Sequence, residues 1–354
     1  MDIDALPTIL DVVERISSIE NSLILPHVSQ IPSSGFFDEG RYCYVSERQD
    51  RSIARLMPMS QSPFRFYRGQ SRYHDPCVPS LYRAQKNGEL PGEEVIAANR
   101  LKICEFALLL GTHPVFIEVA QNLLVDPVAL AQHYGLTTEY LDITNSKWVA
   151  AFFACTGYDY ESDTYYPVGR DYGEGYGVMY ISKGFEDGKV MEEFFDKNGV
   201  IGYQFFARPT KQSSFGFRME MGEDFNASPY FEKVFFRHDQ EASDLVFEMS
   251  YRQNRFIPKD SLSQLSRRIA ESNVVTRTAL SLCLSMYYPD REPAFLERVS
   301  ERHGWSVQDA PVVSFASEEL AADWERWNEY GREELNSRIL PIIPITTVDL
   351  GTLG

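Results

Sequence analysis

Two segments of this chain carry side chains suited to chemistry rather than to packing alone. One is Phe66-Tyr67-Arg68-Gly69-Gln70, where an aromatic run leads into an arginine–glycine pair. Glycine leaves the backbone open to close approach by a ligand, and the guanidinium is a planar, permanently charged fork for a phosphate or carboxylate. The other spans residues 130–154 and centres on Asp142-Ile143-Thr144-Asn145-Ser146, which packs a carboxylate, two hydroxyls and an amide into five positions. Such side chains either hold the start of a helix or hydrogen-bond a ligand's ribose hydroxyls, and capping accounts for one of them whatever the others do. His133, beside Tyr134-Gly135, is either a base or, as is commoner at a helix end, a structural donor.

Elements that would position these residues can be read from periodicity and punctuation. Ile9, Val12, Val13, Ile16 and Ile19 recur at helical spacing and predict an opening amphipathic helix. Phe64 to Tyr67 reads as a strand ending at Arg68-Gly69, and Pro76 and Pro79 confine the next stretch to loop. Glu93 to Glu118 is helical in pattern, interrupted at Gly111 and Pro114. A helix over Pro127 to Tyr134 stops at Gly135. Asp142 to Ser146 reads as a turn, with Asn145 or Ser146 capping a helix from Trp148 to Ala154. Tyr158 to Gly177, dense in Tyr, Asp and Gly, reads as a mobile surface insertion. Strands are expected at Gly177 to Ile181, Gly202 to Phe206 and Phe215 to Met219, with further β-structure at Tyr230 to Phe236 and Asp244 to Met249. Beyond Pro258 the pattern is helical through Leu262, Leu265 and Ile269, then Val274 to Leu284, then Glu318 to Leu335.

Bulk properties narrow the function classes. With 354 residues, 44% hydrophobic and 13% aromatic, the chain can bury one large core or two modest ones. A formal charge of −17 argues against a general nucleic-acid scaffold, since neutralising phosphates needs clustered Lys and Arg. Arg65, Arg68, Arg72 and Arg83 nevertheless gather in one short region, so a small anionic ligand stays open. The five cysteines are scattered with no CxxC pair, which signals neither zinc nor a disulfide framework, and no metal site is expected. The acidic start lacks the order of an export signal, and the apolar runs are too short to span a bilayer, so a cytoplasmic protein with no membrane partner is expected.

Five stretches in order resemble the FRG domain: Phe66-Tyr67-Arg68-Gly69-Gln70, Pro79-Ser80-Leu81-Tyr82-Arg83, Gln132-His133-Tyr134-Gly135-Leu136-Thr137, Leu141-Asp142-Ile143-Thr144-Asn145-Ser146 and Ala150 to Ala154. The resemblance runs over roughly residues 60–220. Two positions depart from that pattern: Glu139 stands where an Arg is usual, and Lys147 where Pro is frequent. The same plan is similar, more weakly, to ADP-ribosyltransferases of the Arg-Ser-Glu type, with Arg68 in the first place and Thr144 and Ser146 in the second.

That second resemblance implies NAD as co-substrate. Arg68 would hold its phosphates, the hydroxyls of Thr144 and Ser146 would brace the nicotinamide cleft, and a late acid would stabilise the ribosyl cation as nicotinamide leaves. Gln212, in Arg208-Pro209-Thr210-Lys211-Gln212, matches a late FRG segment but brings no negative charge; Glu220 is the nearest carboxylate in a plausible setting. By the same resemblance Tyr67, Gly69, Gln70, Arg83, His133 and Asp142 would border the cofactor. The expectation is an α+β chain with a split, mainly antiparallel ADP-ribosyltransferase-like sheet flanked by helices. It would comprise an N-terminal helix and lead-in at 1–60, an FRG domain at 61–258 and a mainly helical extension at 259–354. Two functions are open on this basis. One is an NAD-consuming transferase or glycohydrolase acting on an unknown protein or RNA acceptor, a toxin or anti-phage effector with an antitoxin or regulatory partner. The other is a non-catalytic binding module that retains the pocket.

Overall fold

The opening helix α1 (Ile9–Ser22) forms as its spacing dictates, with Ile9, Val12, Val13 and Ile16 all buried on one face. The structure is a computed structural model and describes residues 1–22, 41–46, 54–59, 65–86, 88–123, 125–183, 198–201, 206–250, 256–257 and 260–333. Strands β1 (Arg41–Ser46) and β2 (Ala54–Met59) pair as a separate antiparallel ribbon. Then come β3 (Tyr67–Gln70) and two helices, α2 (Glu93–Leu110) and α3 (Pro114–Asn122). The expected interruption falls at Gly111 and Pro114, where the chain turns by 93°, because Pro is tolerated only in the first turn of a helix. Among the described residues no single helix is long and apolar enough to cross a membrane; this bent pair passes only as a pair.

The centre of the fold lies in α4 (Pro127–His133), β4 (Tyr140–Thr144) and α5 (Lys147–Ala154), then the hairpin β5 (Thr156–Asp159) and β6 (Thr164–Pro167). Next are β7 (Tyr176–Ser182), β8 (Asn198–Val200), the short α6 (Ala207–Lys211), β9 (Ser214–Arg218), β10 (Phe231–Arg237) and α7 (Gln240–Ser250). Helices α8 (Ser261–Glu271), α9 (Arg277–Tyr287), α10 (Ala294–Arg302) and α11 (Ser317–Arg326) follow, with β11 (Val274–Thr276) and β12 (Ser306–Gln308) forming a small parallel pair.

Among the described residues the main sheet has six strands in the order β10-β7-β3-β4-β9-β8, and every neighbouring pair is antiparallel. One face carries Tyr67, Met179, Ile181 and Phe236 against α1, α5 and α7. The other carries Phe66, Leu141, Ile143, Val178, Tyr180, Phe215 and Phe217 with Phe225 and Phe231. Helices α2, α4 and α8 share a third cluster, and α2 turns its other side to α9 and α10, so the C-terminal helices pack on the body through α2.

Within the sheet, β7 pairs with β3 over four residues and β4 with β9 over five, but β3 and β4 meet at a single pair, Tyr67 with Thr144. The sheet is thus two halves hinged at that pair. Helix α5 lies across the joint, and it comes so near β3 that a Cβ on Gly69 would stand 1.8 Å from the Ala150 carbonyl oxygen. Glycine is needed there for a helix rather than a ligand.

Several local expectations are corrected. Residues 140–144 are a strand, not the start of a turn: Leu141 and Ile143 face one cluster while Asp142 and Thr144 alternate to the other side. Arg68 and Gly69 lie inside β3 rather than after it. The expected strand at Asp244 to Met249 is part of α7, with Ala242, Ser243, Val246 and Ser250 buried at helical spacing and Asp239 Oδ1 accepting from Ala242 N at 3.0 Å. Val274 to Thr276 pair with β12 before α9 begins at Arg277. Much of Tyr158 to Gly177 is the β5–β6 hairpin, held by Tyr165 packing on Phe152 and Phe153 at 5.3 and 6.0 Å between ring centroids. The expected strand at Gly202 to Phe206 falls largely outside the described residues, as do Phe64 and Leu335.

This packing has two measurable consequences. Gly69→Ala should cost about 3 kcal/mol, the upper end for overpacking, because backbone rather than a flexible side chain stands in the way. Gly222→Ala, at φ +91° with open space around it, should cost only about 1–2 kcal/mol; equal urea midpoints for the two variants would contradict the α5–β3 contact. The second concerns pH. Burial lowers the imidazoles of His113, His133 and His238 below their ordinary 6.5. The unfolded chain therefore binds more protons than the native one as pH falls through 6.5. Unfolding free energy should drop between pH 7.5 and 5.5, by up to about 1.4 kcal/mol per pH unit for each such group. A flat profile over that window would refute it.

Candidate functional site

The site assembles where the two halves of the sheet part. Beyond Tyr67 and Thr144 the strands no longer pair, and Arg68 spans the opening by donating from Nη1 to the Asp142 backbone oxygen at 2.6 Å. Strand alternation sends Tyr67 the other way: its hydroxyl donates to Glu20 Oε1 at 2.5 Å, and Lys147 Nζ meets Glu20 Oε2 at 2.5 Å. Tyr67 and Lys147 therefore fasten α1 to the body.

The loop after β3 brings further cations to the same mouth. It is pinned by Cys77 N donating to Asp224 Oδ1 at 2.9 Å, Asn226 Nδ2 donating to the His74 oxygen at 2.8 Å, and Leu81 N donating to the Thr138 oxygen at 3.2 Å. His74 reports the resulting charge: desolvation first, then Arg83, Arg68 and Arg72 together, hold its imidazole below the usual value. Arg72 stacks over Tyr172 at 4.5 Å, whereas Arg65 turns away to the Ser182 oxygen. Arg68 Nε is buried without a hydrogen-bond partner among the described residues. In a chain of net charge −17 this is a local patch that attracts anions.

The carboxylate of Asp142 is held from behind by the end of α4. Asp126 caps that helix, accepting from Val128 N and Ala129 N at 2.9 Å, and also accepts from Tyr140 Oη at 3.0 Å, so helix and strand start together. At the other end Gly135, at φ +82°, lets its N–H reach the Gln132 oxygen and the Leu136 N–H reach the Ala131 oxygen, a Schellman closure. Gln132 and His133 then both reach Asp142. Thr138 Oγ1 donates to Gln132 Oε1 at 2.6 Å, which turns the amide so that Nε2 donates to Asp142 Oδ2 at 3.3 Å. His133 Nε2 lies 3.4 Å from Asp142 Oδ1. Burial outweighs the pull of Asp142 and keeps His133 neutral. The Asp142 side chain is 43% exposed against 4% for His133, but its Oδ1 is buried without a hydrogen-bond partner among the described residues, so only part of the carboxylate faces solvent. Arg208 closes the back, donating to the His133 oxygen at 3.2 Å with its guanidinium 5.1 Å from the centre of the Tyr134 ring.

The structure divides the site residues expected from sequence. Arg68, Arg83, His133 and Asp142 come together, and Gln70 follows Arg68 on the same strand face, its amide beside Cys77. Thr144 and Ser146 are adjacent but engaged: Thr144 Oγ1 donates to the Gln212 oxygen at 2.7 Å and accepts from Ser146 N, while Ser146 Oγ accepts from Val149 N as the cap of α5. Gln212 is buried, with its amide donating to the Phe256 oxygen at 2.9 Å and its side chain also hydrogen-bonded to His133, so it supports the cluster from behind. Glu220 lies in an exposed turn closed by its own N–H on Glu223 Oε2, in the charge surroundings of Tyr82 and not, among the described interactions, of Arg68. Tyr67 and Gly69 face α1 and α5. The sequence alone gives no role to His74 or Gln132. Their signal is weak, since one is a histidine in a loop and the other takes meaning only from neighbours brought by the fold. Among the described residues no group of His, Cys, Asp or Glu is placed to hold a metal ion.

A fully antiparallel main sheet, hinged at one residue pair and carrying arginines at the opening, marks a mixed α/β protein with an electropositive cleft. Residues 64–163 match the family model of the FRG domain, so the chain carries an FRG domain that includes β3, α4, β4 and α5. Comparison with curated proteins and with solved structures returns no match.

Neutralising the arginines should release His74 from part of their repulsion. Pyrophosphate should therefore raise the His74 pKa, read by NMR with the resonance assigned through its loss in His74→Gln. An unmoved His74 with pyrophosphate at saturating concentration would show that no anion enters this mouth.

Proposed function

We propose that this protein is an NAD-consuming enzyme of the ADP-ribosyltransferase type, with the opening between β3 and β4 as its cleft. The observation that carries the reading is the single-pair junction at Tyr67 and Thr144, with Arg68 stretched across the opening beside Arg72 and Arg83. The diphosphate of NAD supplies the anion that such a patch lacks, and an arginine fork suits its oxygens. Arg68 is anchored through one nitrogen on the Asp142 oxygen, so it is oriented before any ligand arrives.

The acceptor in this reading is a protein or an RNA, and a toxin or anti-phage role with a cognate antitoxin agrees with it. A second reading, a binding module without turnover, is favoured by one observation: Gln212, in the place of the third motif residue, is buried in structural hydrogen bonds.

Nicotinamide release from NAD by the purified chain separates the two. Arg83 is exposed, so Arg83→Ala should fold normally and raise KM for NAD by about tenfold or more. Arg68→Lys keeps the charge but loses the fork and should lower kcat/KM by about 30-fold or more, with the melting temperature checked alongside. Absence of release by the wild type, with no stabilisation by NAD, would leave only the binding module.

A further inference from the structure

We infer that Asp142 is the catalytic carboxylate of this cleft and that the nucleophile it deprotonates is a neutral O–H. This inference rests on the NAD-consuming reading and names the acid that sequence motifs leave unassigned. Three observations carry it. Glu220 is exposed in a turn with Glu223, and Gln212 is an uncharged amide buried between Phe256 and His133, so neither supplies a carboxylate to the opening. Asp142 does: its backbone oxygen accepts from Arg68, so one residue joins the anion-holding guanidinium to a carboxylate. That carboxylate is aimed by the Gln132 amide on Oδ2, its Oδ1 is buried without a hydrogen-bond partner among the described residues, 3.4 Å from His133 Nε2, and the side chain as a whole remains 43% exposed, so the carboxylate is held by one partner and not consumed by structural hydrogen bonds.

The surroundings also suit it to be a base. His133 is held neutral by burial, so no imidazolium cancels the charge of Asp142, and Gln132 is fixed by Thr138 with its donor side toward Oδ2. In the step itself the bond from ribose C1′ to the nicotinamide nitrogen breaks, its electron pair leaving with nicotinamide. The carboxylate stands against the positive charge that develops on the ribose. The acceptor oxygen forms the new bond to C1′ and its proton passes to Asp142.

The class of acceptor is set by charge and acidity. A guanidinium acceptor would have to enter past Arg68, Arg72 and Arg83, which repel it. A carboxylate acceptor arrives already ionised and needs no base. A hydroxyl or water is uncharged and does need one.

The test uses the full-length chain with NAD, methanol as the hydroxyl probe and agmatine as the guanidine probe. Wild type should give ADP-ribose and, with methanol, methyl ADP-ribose, and no agmatine adduct. Asp142→Asn, nearly isosteric, should keep its NAD affinity and melting temperature while kcat falls roughly 10²–10⁴-fold. Gln132→Ala, which only aims the carboxylate, should lower kcat less while leaving KM for NAD unchanged. An active wild type with an equally active Asp142→Asn, or loss of turnover in Glu220→Gln instead, would overturn the assignment while leaving the NAD reading standing. Capture of agmatine in preference to methanol would overturn the acceptor class. A wild type that neither binds NAD nor releases nicotinamide would remove the NAD reading itself, and this inference with it.

Discussion

One residue pair, Tyr67 with Thr144, joins the two halves of the main sheet, and the shape of the candidate site depends on how little else does. Backbone groups beyond an interrupted ladder need other partners. Here the Asp142 oxygen finds one in the Arg68 guanidinium. A break in the sheet and the orientation of a charged side chain are therefore the same interaction. Helix α5 makes the break tolerable by lying across the joint, and it can do so only because Gly69 and the small residues Ala150 and Ala154 let helix and strand backbones approach.

Around that joint, polar groups are used for construction before they are available for chemistry. The hydroxyls of Thr144 and Ser146 tie the end of β4 to Gln212 and to the start of α5. Asp126 and Gly135 fix the two ends of α4, which sets Gln132 and His133 behind Asp142. Few groups remain for a ligand: the arginines of the mouth, with His74 among them, and the outward side of one carboxylate. A cationic mouth in a strongly acidic chain also confines electrostatic attraction for anions to one place, because the acidic surface elsewhere repels them.

Sequence reading performed best where local chemistry decides the structure. The spacing of Ile9, Val12, Val13 and Ile16, the interruption at Gly111 and Pro114, the stop at Gly135 and the cap at Ser146 all act within a few residues of themselves. It failed where partners lie far along the chain. Asp142 to Ser146 reads as a turn because polar residues cluster there, but pairing with β9, some 70 residues later, makes most of it a strand. Asp244 to Met249 reads as β-structure from its apolar residues, whereas the cap from Asp239 and the packing of Val246 under α5 draw it into a helix.

Residue identity and short spacing already reveal which groups are available: an arginine–glycine pair on an aromatic strand, a hydroxyl-rich segment ahead of a small-residue helix, and stretches resembling the FRG motifs in their order. These are legible because each depends on identity and short spacing. Their roles follow from the folded chain. It placed Tyr67 and Arg68 on opposite faces of one strand, used Gly69 for a helix rather than a ligand, buried Gln212 behind His133 and set Glu220 in an exposed turn. It also brought Arg68, Arg83, His133 and Asp142 together across a gap that no local pattern encodes, since where a ladder stops is set by the packing of elements distant in the chain.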